Sequence, residues 1–184
     1  MNKPFNFLFS NSALPPLISG SGKLELDGKI IHGSIAKPGD HPWMVYIKYF
    51  KRGLCGGFLV DRQHVITAAH CVVDYHGPRE PSNFEVYVGA YNLDGLDAPY
   101  EVDKIQYPPH YKPSEYDYDI AVLRLRSNVT YSSKVSPICL AGEELKPHEN
   151  LTVAGFGQTG PHVISPSSSI LLEVGVEYIP RKIF

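Results

Sequence analysis

The sequence predicts an all-β fold whose antiparallel strands close into barrels, and three observations carry that reading. From Ile30 onward, short apolar or alternating runs are split by Gly, Pro and Asp, the pattern of strands joined by turns. The 184 residues include sixteen Gly, sixteen Pro and twelve Tyr, which suits many short strands and tight connections. No stretch keeps a helical period beyond about one turn around Ala68 to Cys71. Closure into barrels fits because it hides strand edges.

Met1 to Gly22 stands where a secreted protein carries a signal peptide. Lys3 is followed by Phe5, Phe7, Leu8 and Phe9, but Asn6, Ser10, Asn11 and Ser12 interrupt the apolar core and Pro15-Pro16 break it again. The stretch reads as a poor leader, or as an artificial start to a truncated reading frame. Ser19-Gly-Ser-Gly22 reads as a flexible linker, and the polar KLELDGK ends in Lys29. Strands are expected at Met44 to Phe50, Gly57 to Val60, Val65 to Thr67, Phe84 to Val88, Ile120 to Leu125, Thr152 to Ala154 and Ile170 to Ile179. The last is the clearest, with Leu172, Val174, Val176 and Tyr178 on one face and Glu173 and Glu177 on the other.

Hydrophobic residues make up 43% and charged residues 20%, the balance of a globular chain with enough length for one fair-sized domain or two small ones. No apolar run reaches the length of a bilayer span. The formal net charge is −2 with both signs scattered, which argues against nucleic acid or an anionic membrane as a partner.

Chemistry concentrates in CGGFLVDRQHVITAAHC, Cys55 to Cys71. Two cysteines 16 positions apart flank a strand–turn–strand, with His70 directly before the second. A Cys55–Cys71 disulfide would pin the backbone that carries His70, and closing such a loop contributes about 3 kcal/mol. Taken alone, a buried histidine beside a stabilising bridge reads equally well. That reading weakens at YDYDIAVLRL, where Asp119 opens an apolar strand. A buried carboxylate needs a hydrogen-bond donor, and an imidazole N–H would serve, fixing the tautomer so that the other ring nitrogen faces a nucleophile. Asp117 competes for this role on local grounds.

These two segments resemble the histidine and aspartate segments of chymotrypsin-like (trypsin-family) serine proteases. The resemblance selects Asp119, the aspartate directly before the Ile-Ala run. It extends upstream through Lys29-Ile-Ile-His-Gly33 and AKPGDHPWMVYI, and downstream through VSPICLA, VAGFG and LLEVGVEYIP. These ordered segments between Lys29 and Phe184 carry it. It implies a chymotrypsin-like double β-barrel with the second barrel incomplete, divided as a leader and activation segment over residues 1–29 and a peptidase domain over 30–184. It implies zymogen activation by cleavage between Lys29 and Ile30, with His70 as general base and acid and Asp119 orienting it. Implied partners are protein or peptide substrates, an activating protease that cuts after Lys29, and protease inhibitors. No cofactor is implied. PICLA, VAGFG and LLEVGVEYIP look most like arthropod clip-domain proteases of defence cascades.

The family nucleophile lies in a Gly-Asp-Ser-Gly-Gly-like turn, and no such segment occurs in these residues. Ser21 of SGSGK lies upstream of the activation site. Ser165, Ser167, Ser168 and Ser169 of SPSSSI stand where the family has an exposed loop. The chain ends where the family continues, so the expectation is a fragment of a secreted endopeptidase that is inactive alone, with strands after about Leu140 left at open edges. The alternative is a non-catalytic homologue acting as a binding or cofactor module. A β domain without protease ancestry is set aside on these segments.

Cys139 resembles the family cysteine that bonds to an upstream activation segment, so an interchain disulfide is expected there, or a free thiol. The stretch VGAYNLDGLDAPYE stands where some members bind calcium, but Ala90 replaces a ligating carboxylate, and Asp94, Asp97 and Glu101 read as solvated loop acids. The histidines show no zinc-ligand spacing, so no metal is expected. Asn128-Val-Thr130 and Asn150-Leu-Thr152 are N-glycosylation sequons. With the Cys55–Cys71 bridge they favour an oxidising, extracellular compartment.

Overall fold

The computed structural model describes residues 7–10, 33–113, 117–142, 145–157 and 167–179. In chain order the strands are β1 (Phe7–Ser10), β2 (Ser34–Ile35), β3 (Met44–Tyr49), β4 (Arg52–Leu59), β5 (His64–Thr67), β6 (Val73–Asp74), β7 (Gly77–Pro78), β8 (Phe84–Val88), β9 (Tyr100–Gln106), β10 (Ala121–Leu125), β11 (Asn150–Gly155) and β12 (Leu172–Glu177). The only helical pieces among the described residues are three 3-10 turns, at Ala69–Cys71, Pro81–Asn83 and Leu93–Gly95. No helix is long and apolar enough to cross a membrane. The chain forms two compact units, one within Lys37–Leu140 and one drawn from Asn6–Ala36 and Ala141–Phe184.

The first unit is a closed barrel with strand order β10-β5-β4-β3-β8-β9. Strand alternation fills it. On β10, Ala121, Leu123 and Leu125 point inward while Arg124 points out. Val45 and Ile47 of β3, Leu59 of β4, Val65 of β5 and Val86 of β8 are completely buried beside them. Each such side chain contributes about 1.5–3 kcal/mol by leaving water. Outside, Arg124 makes a two-pronged bond to Asp103 of β9, Nε to Oδ1 at 2.9 Å and Nη2 to Oδ2 at 2.8 Å. Arg126 pairs with Glu101 at 2.9 Å. The Arg124 bond holds the Asp103 carboxyl below its ordinary value and raises the guanidinium.

Strand β4 begins at Arg52, five residues before the expected Gly57. Two of the glycines in this strand serve close packing. A Cβ on Gly53 would collide with the Tyr46 hydroxyl, and one on Gly57 would lie 2.7 Å from the Ile66 carbonyl oxygen. Strand β9 was not expected at all. It exposes Glu101, Asp103, Lys104 and Gln106 and buries Val102, so its apolar content is too thin to announce a strand.

The β3–β4 hairpin closes through two residues, since Tyr49 pairs with Arg52. Phe50 and Lys51 have φ of 49° and 61°, the two positive values of a type I′ turn. That turn favours Asn-Gly, and each side chain bearing a Cβ there costs about 1–2 kcal/mol.

The second unit is an open four-stranded sheet, β1-β11-β12-β2, with every neighbouring pair antiparallel. Six residue pairs join β11 to β12, and Leu151, Val153 and Leu172 are buried on it. His148 Nδ1 pairs with the Glu177 carboxylate at one end. The segment read as a leader contributes β1, whose Phe7–Ser10 backbone pairs with Leu151–Ala154.

Candidate active site

Strand β5 leads into the 3-10 turn that carries His70. Thr67, 1% exposed, donates its hydroxyl to the Gly56 carbonyl at 2.8 Å, tying the end of β5 to β4. The turn closes through Cys71 N–H to the Ala68 carbonyl at 3.2 Å and Val72 N–H to the Ala69 carbonyl at 2.9 Å. Cys71 is bridged to Cys55 of β4, with the Cα atoms 6.3 Å apart. Ala68, Ala69 and Cys71 are fully buried. His70 is the member of the turn that reaches outward.

Asp119 arrives from the neighbouring strand. β10 pairs antiparallel with β5, Ala121 opposite Thr67. Asp119 lies two residues before Ala121, and His70 lies three residues after Thr67, so both sit just beyond the same end of the pair. Tyr118 adopts a left-handed conformation, φ 58°, and Ile120 N–H bonds back to the Tyr118 carbonyl at 2.7 Å. This tight bend turns the Asp119 side chain toward the histidine turn.

Two bonds then join them. His70 Nδ1–H donates to Asp119 Oδ2 at 2.7 Å, and the His70 backbone N–H donates to Asp119 Oδ1 at 2.8 Å. The Asp119 side chain is only 12% exposed. Burying a carboxylate is unfavourable unless donors replace the lost water, and both oxygens have one. Asp117 is exposed, so the choice that local sequence left open is resolved by geometry: Asp119 is the histidine's partner. Holding Nδ1–H in this bond orients the ring, with Nε2 on its opposite edge.

Sequence reasoning missed the backbone N–H as a second donor to Asp119. It also missed the turn that leads into β5. Asp61 Oδ1 accepts from the N–H groups of Gln63 (2.7 Å) and His64 (2.8 Å), and His64 Nδ1–H donates to Oδ2 at 2.8 Å. Partial burial pushes the Asp61 carboxyl upward, but these hydrogen bonds outweigh it and hold the group below its ordinary value. An aspartate three residues before a strand start is the readable signal of such a turn.

The remaining expected site residues are scattered. Lys29, Ile30 and Ser165 lie outside the described residues. Cys139 is an exposed free thiol. Asn128 and Asn150 are exposed, just past the end of β10 and at the start of β11. Asp94, Asp97 and Glu101 are exposed, and Glu101 is engaged with Arg126. The Ser168 hydroxyl is held by its own turn, donating to the Ile170 carbonyl at 2.6 Å and accepting from its N–H at 3.1 Å. Cys55, His70 and Cys71 bring donor atoms close together, but the disulfide leaves no thiolate to bind an ion.

The family model described as Trypsin matches residues 30–183. The chain is 40% identical over 141 residues to the clotting factor G beta subunit of Tachypleus tridentatus, covering 72% of this chain and 45% of that protein. It is 36% identical over 163 residues to the proclotting enzyme of the same species, covering 79% of this chain and 42% of that protein. The chain thus spans less than half the length of these curated relatives. With its all-β architecture, closed six-stranded barrel and family match over most of its length, the chain belongs to the trypsin family of serine proteases.

Proposed function

We propose that this chain supplies the histidine and aspartate of a secreted serine endopeptidase, a zymogen activated by cleavage after Lys29. The observation that carries the reading is the double hydrogen bond from His70 to the largely buried Asp119 carboxylate. In the reaction, His70 Nε2 takes the proton of a serine hydroxyl as its oxygen attacks the substrate carbonyl. The imidazolium then gives that proton to the leaving amine, and water repeats the cycle on the acyl-enzyme. Asp119 holds the ring in place and stabilises its positive charge while the proton is there.

The serine and its oxyanion donors would come from sequence outside these 184 residues, which contain no Gly-Asp-Ser-Gly-Gly-like segment. The 1–184 polypeptide alone is therefore expected to be inactive. Substrates, the activating protease and inhibitors are proteins met outside the cell, where the Cys55–Cys71 bridge is stable.

The test is to read the transcript past the codon for Phe184, express the longest product and activate it with a protease that cuts after lysine. Peptide hydrolysis that falls about 10⁴-fold in Asp119→Asn, and at least as far in His70→Ala, supports the proposal. Full hydrolysis in either variant sinks it. A longer product with a substituted serine would favour the binding-module reading instead.

A further inference from the structure

We infer that the outer edge of β11 is a strand-acceptor site, filled in this chain by Phe7–Ser10 and open to an uncharged, apolar strand of a partner protein. One side of β11 is taken by β12 through six residue pairs. The other is covered by β1 through four antiparallel pairs, from Phe7 opposite Ala154 to Ser10 opposite Leu151. Leu151, Val153 and Ala154 are buried. Without a neighbour on this side, the N–H and C=O groups that β11 turns outward would lie beside buried apolar side chains with no partner. Some strand is required there, but the fold does not dictate its source.

The segment that fills the edge is the least integrated part of its sheet. The family match begins at residue 30, so β1 comes from outside the matched domain, whereas β2, β11 and β12 lie within it. β1 ends the strand order β1-β11-β12-β2 and, among the described residues, is paired on one side only. Its connection to β2 carries Pro15-Pro16 and Ser19-Gly-Ser-Gly22, which read as a linker. The cover is also incomplete. β11 runs from Asn150 to Gly155, yet β1 pairs only with Leu151–Ala154. A partner strand that also pairs with Asn150 and Gly155 gains backbone bonds that β1 does not make, which offsets the advantage of the tether.

The chemistry of the occupant is read from both strands. The covered stretch of β11 is Leu-Thr-Val-Ala and the covering segment is Phe-Leu-Phe-Ser, neither with a charge. A charged side chain laid against Leu151–Ala154 would lose water and meet no opposite charge from that stretch. Affinity at this edge comes from the backbone ladder, and selectivity from the exclusion of charge.

The experiment uses the 1–184 chain and a fluorescein-labelled peptide with the sequence of residues 5–12, Phe-Asn-Phe-Leu-Phe-Ser-Asn-Ser, read by anisotropy. In the full chain, Leu8→Pro with Phe9→Pro removes the internal strand, because one of any two neighbouring residues turns its N–H to the partner strand. That variant should bind the peptide at least about tenfold more tightly than the wild type, whose own strand competes for the edge. A peptide carrying the same two prolines should not bind. The wild type supplies a readout that does not depend on how the variant folds. At saturating peptide, the Phe7–Ser10 amides that face β11 should lose hydrogen-exchange protection, while those of Leu151–Ala154 keep theirs. The inference is overturned if wild type and variant bind the peptide alike, or if the proline peptide binds as well as its parent. It is equally overturned if Phe7–Ser10 stays protected at saturating peptide. A variant that dimerises and takes up no peptide overturns it too, by giving the edge to a second copy of the chain.

Discussion

Replacing Cys55 and Cys71 together with alanine should weaken the barrel and slacken the turn that holds His70. The bridge closes a loop with a sequence separation of 16, and removing it returns about 3 kcal/mol of conformational freedom to the unfolded chain. The two sulfur atoms are buried, with Cys55 6% and Cys71 0% exposed, so their lost packing adds about 1 kcal/mol. The sum of about 4 kcal/mol is a large part of the 5–15 kcal/mol typical of a domain. At a slope of about 2 kcal/mol per molar urea, the unfolding midpoint should drop by about 2 M. Urea titration followed by tryptophan fluorescence reads this through Trp43, the chain's one tryptophan. The proton NMR signal of His70 Nδ1–H should broaden in parallel, because Cys71 adjoins it in the same turn. A midpoint shift under about 0.5 M would refute the loop-closure reasoning. An unchanged histidine signal beside the full drop in midpoint would show that the turn's own hydrogen bonds and those to Asp119 hold it without the bridge.

Other expectations are narrower. Gly57→Ala places a methyl 2.7 Å from the Ile66 carbonyl oxygen and should destabilise the barrel by about 1–3 kcal/mol; an unchanged thermal melt would contradict it. Leu123→Ala empties a fully buried position and should lose about 2–5 kcal/mol in the same melt. Asp61 is held below its ordinary value when folded, so its contribution is whole above the unfolded value of about 3.9 and is lost as pH falls through the lower folded one. The Gln63 and His64 amide signals should shift over that acid window and stay flat in Asp61→Asn. Secreted from a eukaryotic host, the chain should lose one endoglycosidase-sensitive step in gel mobility with each of Asn128→Gln and Asn150→Gln; a single band insensitive to the enzyme would refute both sites.

The parts legible in the sequence were those where one face of a strand is strongly apolar. Met44–Tyr49, Phe84–Val88 and Ala121–Leu125 lie within a residue of their expected bounds, because buried apolar side chains alternate there with less buried ones. Strand β9 escaped notice because its acids are held by Arg124 and Arg126 across the sheet, a pairing visible only once register is known. The early half of β4 was obscured because Gly53 and Gly56 carry no side chain to show a strand face, and only register reveals that Gly53 packs against Tyr46. At the site, His70 and Asp119 could be named from their flanking segments. The backbone bond that fills the second carboxylate oxygen depends on where the turn lies against β10, which no local pattern encodes.

The placement of His70 and Asp119 has a further consequence for how the barrel assembles. The barrel consists of two successive three-stranded meanders, β3-β4-β5 and β8-β9-β10, joined along β3–β8 and β5–β10. Each meander can form from local contacts, whereas the two joins require distant parts of the chain to meet and are the slower events. His70 stands at the end of one meander and Asp119 at the entry to the other, at the β5–β10 join. The hydrogen bond between them cannot form until the ring closes there, so the imidazole proton signal is a clock for that closure. In a refolding experiment it should appear after the amide protection within either meander.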